Sequence, residues 1–235
     1  MGSASTKARV TPLRRRILAR NSTAAVQCPR FHEFVQNAAK NFPVVCLGGS
    51  AGSLIPFRKV IGEIPSDSGL AIVVVNHRRR SPTKMPEILS RHSSLPVQLI
   101  VSGLRMQPNR IYIIPPNCDL AIDDGHFQLS ALSKAHGWPT VITVFLESLA
   151  REWHGKVIAV ILSGLDSDGV SALRSVKAIG GITFAQKLET AEHGEMPQHA
   201  LESGCVDFEL TPTEIGRELV RIARSQPSQL SENKP

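Results

Sequence analysis

The sequence predicts an α/β domain, a doubly wound and mostly parallel sheet with helices on both faces and a small antiparallel hairpin insertion. Three observations predict it. Residues 43–47, 70–75 and 157–162 are continuous apolar runs without alternation, as expected of parallel strands buried on both faces. Helical stretches alternate with these runs. Between the second and third runs, several short strands are separated by turn residues instead of helices.

The elements follow in order. Residues 43–47 end at Gly48 and Gly49, which read as a strand closing in a tight turn. Residues 55–64 read as a helix and 70–75 as the second strand. Residues 83–92 suggest a helix and 97–101 another strand. Residues 110–114, 120–122 and 127–129 are short strands; Pro115, Pro116 and Asn117 punctuate the first pair, and Asp123, Asp124 and Gly125 the second. Both interruptions are hairpin signals, so an antiparallel insertion is expected across 110–129.

The alternation then resumes. Pro139 suits the first position of a helix. Residues 157–162 are the third long strand, 169–179 a helix ending at Gly180 and Gly181, and 182–185 a strand. A helix follows Pro197, then a short strand over 205–208. Thr211 and Glu214 have capping-box spacing and open a last helix that ends near Ala223.

The chain of 235 residues carries a net charge of +7, which invites a nucleic-acid reading. The location of the charge argues against it. Seven basic residues and no acidic one fall in residues 1–30, leaving twenty of each sign in residues 31–235. The expected organisation is a basic, disordered extension over 1–42, a folded domain over 43–224 and a disordered tail over 225–235. No run is long and apolar enough for a membrane helix, so no stable membrane insertion is expected. Cys28, Cys46, Cys118 and Cys205 lie far apart, without metal-site or disulfide spacing. A reducing, cytoplasmic compartment is expected.

Chemistry in an open parallel sheet sits outside the carboxyl ends of the strands. The first long strand is followed by Gly48-Gly49-Ser50-Ala51-Gly52, the second by Asn76-His77, and the third by the run from Ser163 to Gly169 that contains Asp168. A serine, a histidine and an aspartate at three strand ends form the set that activates a hydroxyl nucleophile. G-x-S-x-G permits a sharp strand-to-helix turn with N–H groups free to bind an oxyanion. Each residue also has a plain reading: a tight turn or phosphate cradle for the glycines, a surface histidine, and an N-cap of the next helix for Asp168. Asp166 and Asp168 lack a third carboxylate at loop spacing, so no metal is expected. The order Ser, His, Asp differs from the Ser, Asp, His order of lipase-type hydrolases. The G-x-G-x-x-G fingerprint of dinucleotide binding is missing.

Residues 47–53, 75–77, 110–119, 161–170, Ala185-Gln186 and Gly194-Glu195-Met196-Pro197 resemble, in order and spacing, the methylesterase domain of the bacterial chemotaxis CheB family. The resemblance covers roughly 43–224. It implies hydrolysis of glutamate methyl esters on chemoreceptor helices, with glutamine deamidation as a second activity and no cofactor. It makes Ser50 the nucleophile, His77 the base and Asp168 the partner that orients the histidine. It places the backbone N–H of Leu165, and that of Ala51, at the oxyanion, and Met196 beside the site. The partners it implies are methylated receptor cytoplasmic helices.

The sequence departs from the family pattern at several points. The family's Gln-His-Met-Pro is here Asn76-His77-Arg78-Arg79, and its Ser-Thr-Gly-Gly is Ser50-Ala51-Gly52-Ser53. Its Arg-Pro-Ser-Val-Asp is Trp138-Pro139-Thr140-Val141-Ile142. The family's usual phosphorylation-receiver domain has no counterpart in the forty or so residues of the basic extension. A different ester or amide substrate, or a non-catalytic binding module of a chemosensory complex, is the alternative.

Overall fold

A computed structural model describes residues 42–76, 84–133 and 139–225. Seven parallel strands form one sheet: β1 (Val44–Gly49), β2 (Ala71–Asn76), β3 (Val97–Leu99), β4 (Arg110–Ile113), β7 (Val157–Ile161), β8 (Ile182–Gln186) and β9 (Phe208–Leu210). Their spatial order is β3-β4-β2-β1-β7-β8-β9. β5 (Cys118–Asp123) and β6 (His126–Ala131) pair antiparallel as a separate ribbon.

Side-chain alternation explains why both faces are covered. Val44 and Cys46 of β1 point into one apolar layer, and Val45 and Leu47 into the other. Helices α1 (Leu54–Gly62), α2 (Met85–Ser90) and α6 (Pro212–Arg224) supply residues to the layer under Val45. Helices α3 (Val141–Glu152), α4 (Val170–Ala178) and α5 (Glu195–Glu202) and the hairpin cover the face under Cys46. α6 begins with the expected capping box, in which Thr211 and Glu214 satisfy each other's backbone N–H groups.

Two expectations are corrected. The run at 110–113 is not half of a hairpin: β4 lies parallel between β3 and β2, with Ile111, Tyr112 and Ile113 buried. Pro115 and Pro116 end this strand without reversing it onto a neighbour. The second interruption is a true hairpin turn. Asp123 pairs with His126 across Asp124 (φ 44°) and Gly125 (φ 75°), the signature of a two-residue turn with both central residues left-handed. The last strand also lies later than expected, at Phe208–Leu210.

The sheet order reverses beside β1. Connections run outward through β2 and β4 on one side and through β7, β8 and β9 on the other. The carboxyl ends of β1 and β7 therefore flank the switch-point crevice, where ligands bind in such sheets. Phe42 packs edge-on against Trp153, with ring centroids 4.9 Å apart, and its carbonyl accepts a bond from the indole N–H. The expected disordered segments fall on residues outside the described ones, apart from Phe42 and Ser225.

Candidate active site

Ser50 sits directly after β1, where the chain turns into α1. The turn demands small residues. A Cβ on Gly49 would lie 2.6 Å from the Ser53 Cβ, and Gly52 has φ +73°. The turn is fastened to the neighbouring strand end: Ser50 N–H donates to the Ser163 carbonyl (2.9 Å), and the Ser163 hydroxyl donates to the Ala51 carbonyl (2.9 Å). That hydroxyl also accepts from His193 N–H (3.0 Å). Ser163 N–H donates to the Gln186 side-chain carbonyl (3.0 Å), whose amide group donates to the Thr190 carbonyl (2.8 Å). Ser163 and Gln186 are fully buried. One buried hydroxyl and one buried amide thus join the ends of β1, β7 and β8 to the loop before α5.

A cleft of about 520 Å³ opens over this turn, lined among others by Ser50, Ala51, Asn76, Met85 and Glu192. Asn76 is the last residue of β2, so the segment that leads into His77 borders the same cleft as Ser50. His77 itself, with Arg78, Arg79 and Arg80, lies outside the described residues.

Asp168 is buried and belongs to the loop after β7. Its carboxylate does not cap the helix that follows it, as its sequence position suggested; Gly169, at φ +89°, takes that place. It binds the start of α3 instead. One oxygen accepts from Ile142 N–H (2.8 Å), and the other accepts from the N–H (2.9 Å) and hydroxyl (2.7 Å) of Thr143. Gly169 N–H donates to the same threonine hydroxyl (2.8 Å). The positive end of α3 and three donors stabilise the negative charge and fix the carboxylate in place. Asp166 has a local role, accepting from the Asp168 N–H (2.8 Å). A second cleft of about 530 Å³ lies here, lined by Thr143, Leu165, Asp166, Asp168 and His199 among others.

Between the clefts stands Gly164. A Cβ on it would meet the Met196 sulfur at 1.9 Å and the Ser50 Cβ at 3.0 Å. The backbone there is tied both ways, from Gly164 N–H to the His193 carbonyl (3.0 Å) and from Met196 N–H to the Gly164 carbonyl (3.1 Å). Met196 is fully buried and packs beneath Gly164. Of the residues singled out from sequence, the structure therefore gathers Ser50 and Met196 around Gly164 and ties Ala51 to Ser163 beside it. It sets Asp168 and Leu165 in the adjoining cleft. Cys46, buried within β1, has its thiol pushed far above the usual range by burial and, secondarily, by the charge of Asp168, so it stays protonated.

Sequence reasoning missed Ser53, Ser163 and Gln186 as supporting residues. A signal existed for two of them: Gln186 ends an apolar strand and Ser163 follows one, where a polar side chain must find a buried partner.

The parallel sheet, with a crevice at its carboxyl edge that Ser50 and Asn76 line, defines an α/β domain with a ligand-binding edge. Comparison with known proteins gives its kind: the chain belongs to the CheB methylesterase family, whose family model matches residues 45–219, and is therefore a carboxylic ester hydrolase by class. The crystal structure of the Thermotoga maritima CheB methylesterase catalytic domain superimposes with a TM-score of 0.71 at 29% identity, covering 77% of this chain and 98% of that one. A Leptospira interrogans relative is 29% identical over 184 residues, 77% of this chain and 95% of its own length. The protein-glutamate methylesterase/protein-glutamine glutaminase 1 of Geobacter sulfurreducens is 30% identical over 195 residues, 80% of this chain and 54% of the relative. The chain thus spans nearly all of the Leptospira relative and about half the length of the Geobacter one. Among the described residues, no helix is long and apolar enough to cross a membrane.

Proposed function

We propose that this chain hydrolyses glutamate methyl esters, and deamidates glutamines, on the cytoplasmic helices of chemoreceptor-like proteins by a Ser50-His77-Asp168 mechanism in the cytoplasm. The observation that carries the reading is the pairing at the switch point. Ser50 lies on a strand-to-helix turn, and the cleft above it is bordered by the strand end that runs into His77. The family membership supports the substrate class.

In this reading the Ser50 hydroxyl attacks the ester carbonyl and gives its proton to His77. The developing oxyanion is held by the backbone N–H groups of Ala51 and Leu165. Methanol departs with the proton returned by His77, leaving an acyl-serine. Water, deprotonated by His77, then releases the glutamate carboxylate and restores Ser50. Asp168, fixed by the start of α3, orients the imidazole and balances its charge when protonated. The chemistry draws on no cofactor. Residues 43–224 form the catalytic domain, and residues 1–42 and 225–235 are tails without a part in the chemistry.

A fluorophosphonate probe followed by peptide mapping tests the nucleophile, and methanol release from methylated receptors of the same organism tests the substrate. Labelling at Ser50 with methanol release is expected. An unlabelled, active protein would sink the serine mechanism. A labelled protein that leaves methylated receptors untouched would move the substrate to another ester or amide.

A further inference from the structure

Ser53 occupies the N-cap position of α1 but makes no side-chain capping bond to the helix. A serine there ordinarily accepts from the second or third helical N–H. Here its hydroxyl turns back and donates to the Ser50 carbonyl (2.6 Å), while the Asn76 side-chain amide donates to the Ser53 oxygen (3.2 Å). The direction of each bond follows from the proton count. The single hydroxyl proton is committed to the Ser50 carbonyl, so Ser53 offers Asn76 lone pairs alone, and the atom facing it must be the NH₂ group. Ser53 is 1% exposed, so its hydroxyl is largely shielded from water. The other amide atom, Asn76 Oδ1, is buried without a partner among the described residues, a cost that folds accept mainly at functional or strained positions.

A trans peptide sets its N–H antiparallel to its C=O. Whatever fixes the Ser50 carbonyl therefore fixes the Ala51 N–H, aimed the opposite way. Ala51 lines the cleft over Ser50. We infer that Ser53 and Asn76 are positioning residues: the relay from Asn76 through Ser53 to the Ser50 carbonyl locks the Ser50–Ala51 peptide so that the Ala51 N–H is presented to the oxyanion. The relay also ties the nucleophile's turn to the residue directly before His77. Its two members stand at two of the points where this sequence departs from the family pattern, and each is the other's bonding partner. This inference rests on the serine-hydrolase reading above.

The test measures kcat and KM on a small neutral ester, and affinity for a boronic acid that mimics the tetrahedral intermediate. Ser53→Ala is expected to lower kcat about ten- to hundredfold, with KM within about twofold and boronic acid binding weakened by the same factor as kcat. A residue that merely packs would not move transition-state affinity at constant KM. Asn76→Ala, acting through Ser53, is expected to cost less, and the double variant to be no slower than Ser53→Ala alone. Should Ser53→Ala fail to fold, Ser53→Cys keeps the shape with a weaker donor, and the same fall in kcat is expected. A wild-type kcat in either Ser53 variant, or fully additive losses in the double variant, overturns the relay. Resistance of wild-type Ser50 to the fluorophosphonate probe would overturn the esterase reading and this one with it. A labelled, active wild type beside an unaffected Ser53→Ala overturns the relay alone.

Discussion

Asp168 and Asp207 make the same kind of local contact at opposite edges of the sheet. Each binds the backbone N–H and the hydroxyl of a threonine, Thr143 for Asp168 and Thr183 for Asp207. Asp168 is buried at the carboxyl edge, beside the switch-point crevice, and holds the start of a helix. Asp207 is exposed at the amino edge, paired with Lys177 and joined to Thr183 near the start of β8. The hydrogen bonds alone do not separate a chemical role from a structural one. Place in the topology does, because substrates reach the carboxyl edge and not the amino edge.

The largest effect that this comparison predicts lies on the proposed nucleophile at the carboxyl edge. Ser50→Ala should lower ester hydrolysis by roughly 10⁴–10⁶-fold, while thermal unfolding stays within about 2 °C of wild type, since a turn methyl replaces a turn hydroxyl. Steady-state rates and a melting curve on the same preparation check it. Retention of a tenth of the activity would remove Ser50 from the mechanism and leave the carboxyl-edge argument without its centre.

Asp168→Asn should differ in kind. It should cost on the order of 10⁴ in kcat by favouring the wrong histidine tautomer. It should also cost about 1–3 kcal/mol in stability, because its NH₂ group must face one of the N–H donors at the start of α3. Urea unfolding measures the second effect separately from the first. Asp166→Asn, whose carboxylate accepts from the Asp168 N–H within the same loop, is expected to be much milder in both. If Asp166→Asn is the crippled variant, the assignment of the orienting acid changes.

Gly164→Ala probes the ground between the clefts. Its new Cβ would overlap the Met196 sulfur and press on Ser50, so one of them must move. A destabilisation of about 1–3 kcal/mol is expected from overpacking, together with a fall in kcat larger than the change in KM. Met196→Ala in the same background should restore part of the stability by making room. If it restores none, the contact that matters is the one with Ser50 and not the one with the methionine.

Much of this arrangement was legible in the sequence because buried parallel strands write themselves as apolar runs, and the residues that follow them are then at the working edge. Ser50, Asn76 and Asp168 were placed that way. β4 was misread because Pro115, Pro116 and Asn117 look like a hairpin turn, and local turn chemistry does not say which strand pairs with which. The plain reading of Asp168 made it the cap of the helix next to it. Its carboxylate binds Ile142 and Thr143, which lie 26 and 25 residues earlier, beyond any local rule. The bonds of Ser53 with Asn76 and of Ser163 with Gln186 are likewise made across sheet neighbours, so the sequence shows their polarity but not their pairing.

Asp207→Asn supplies the control and the smallest expected effect. Burial pushes the Asp207 carboxyl upward, but the bond from Lys177 and those from Thr183 outweigh it and hold it below its usual range. A carboxyl whose folded value is depressed stabilises the fold above its unfolded value, near pH 3.9, and that contribution is lost as pH falls through the lower folded value. The wild type should therefore be more stable than Asp207→Asn by about 0.5–1.5 kcal/mol across pH 5–7, a modest figure because the Lys177 pair is partly solvated. The gap should narrow below about pH 4 as the wild-type carboxyl takes up its proton. Ester hydrolysis at pH 7 should be unchanged, since Asp207 lies at the edge of the sheet away from Ser50. Urea unfolding at a series of pH values, with rates on the same samples, checks both parts. A loss of activity in Asp207→Asn comparable to that in Asp168→Asn would show that the two edges are coupled, and topology alone would no longer separate the two aspartates.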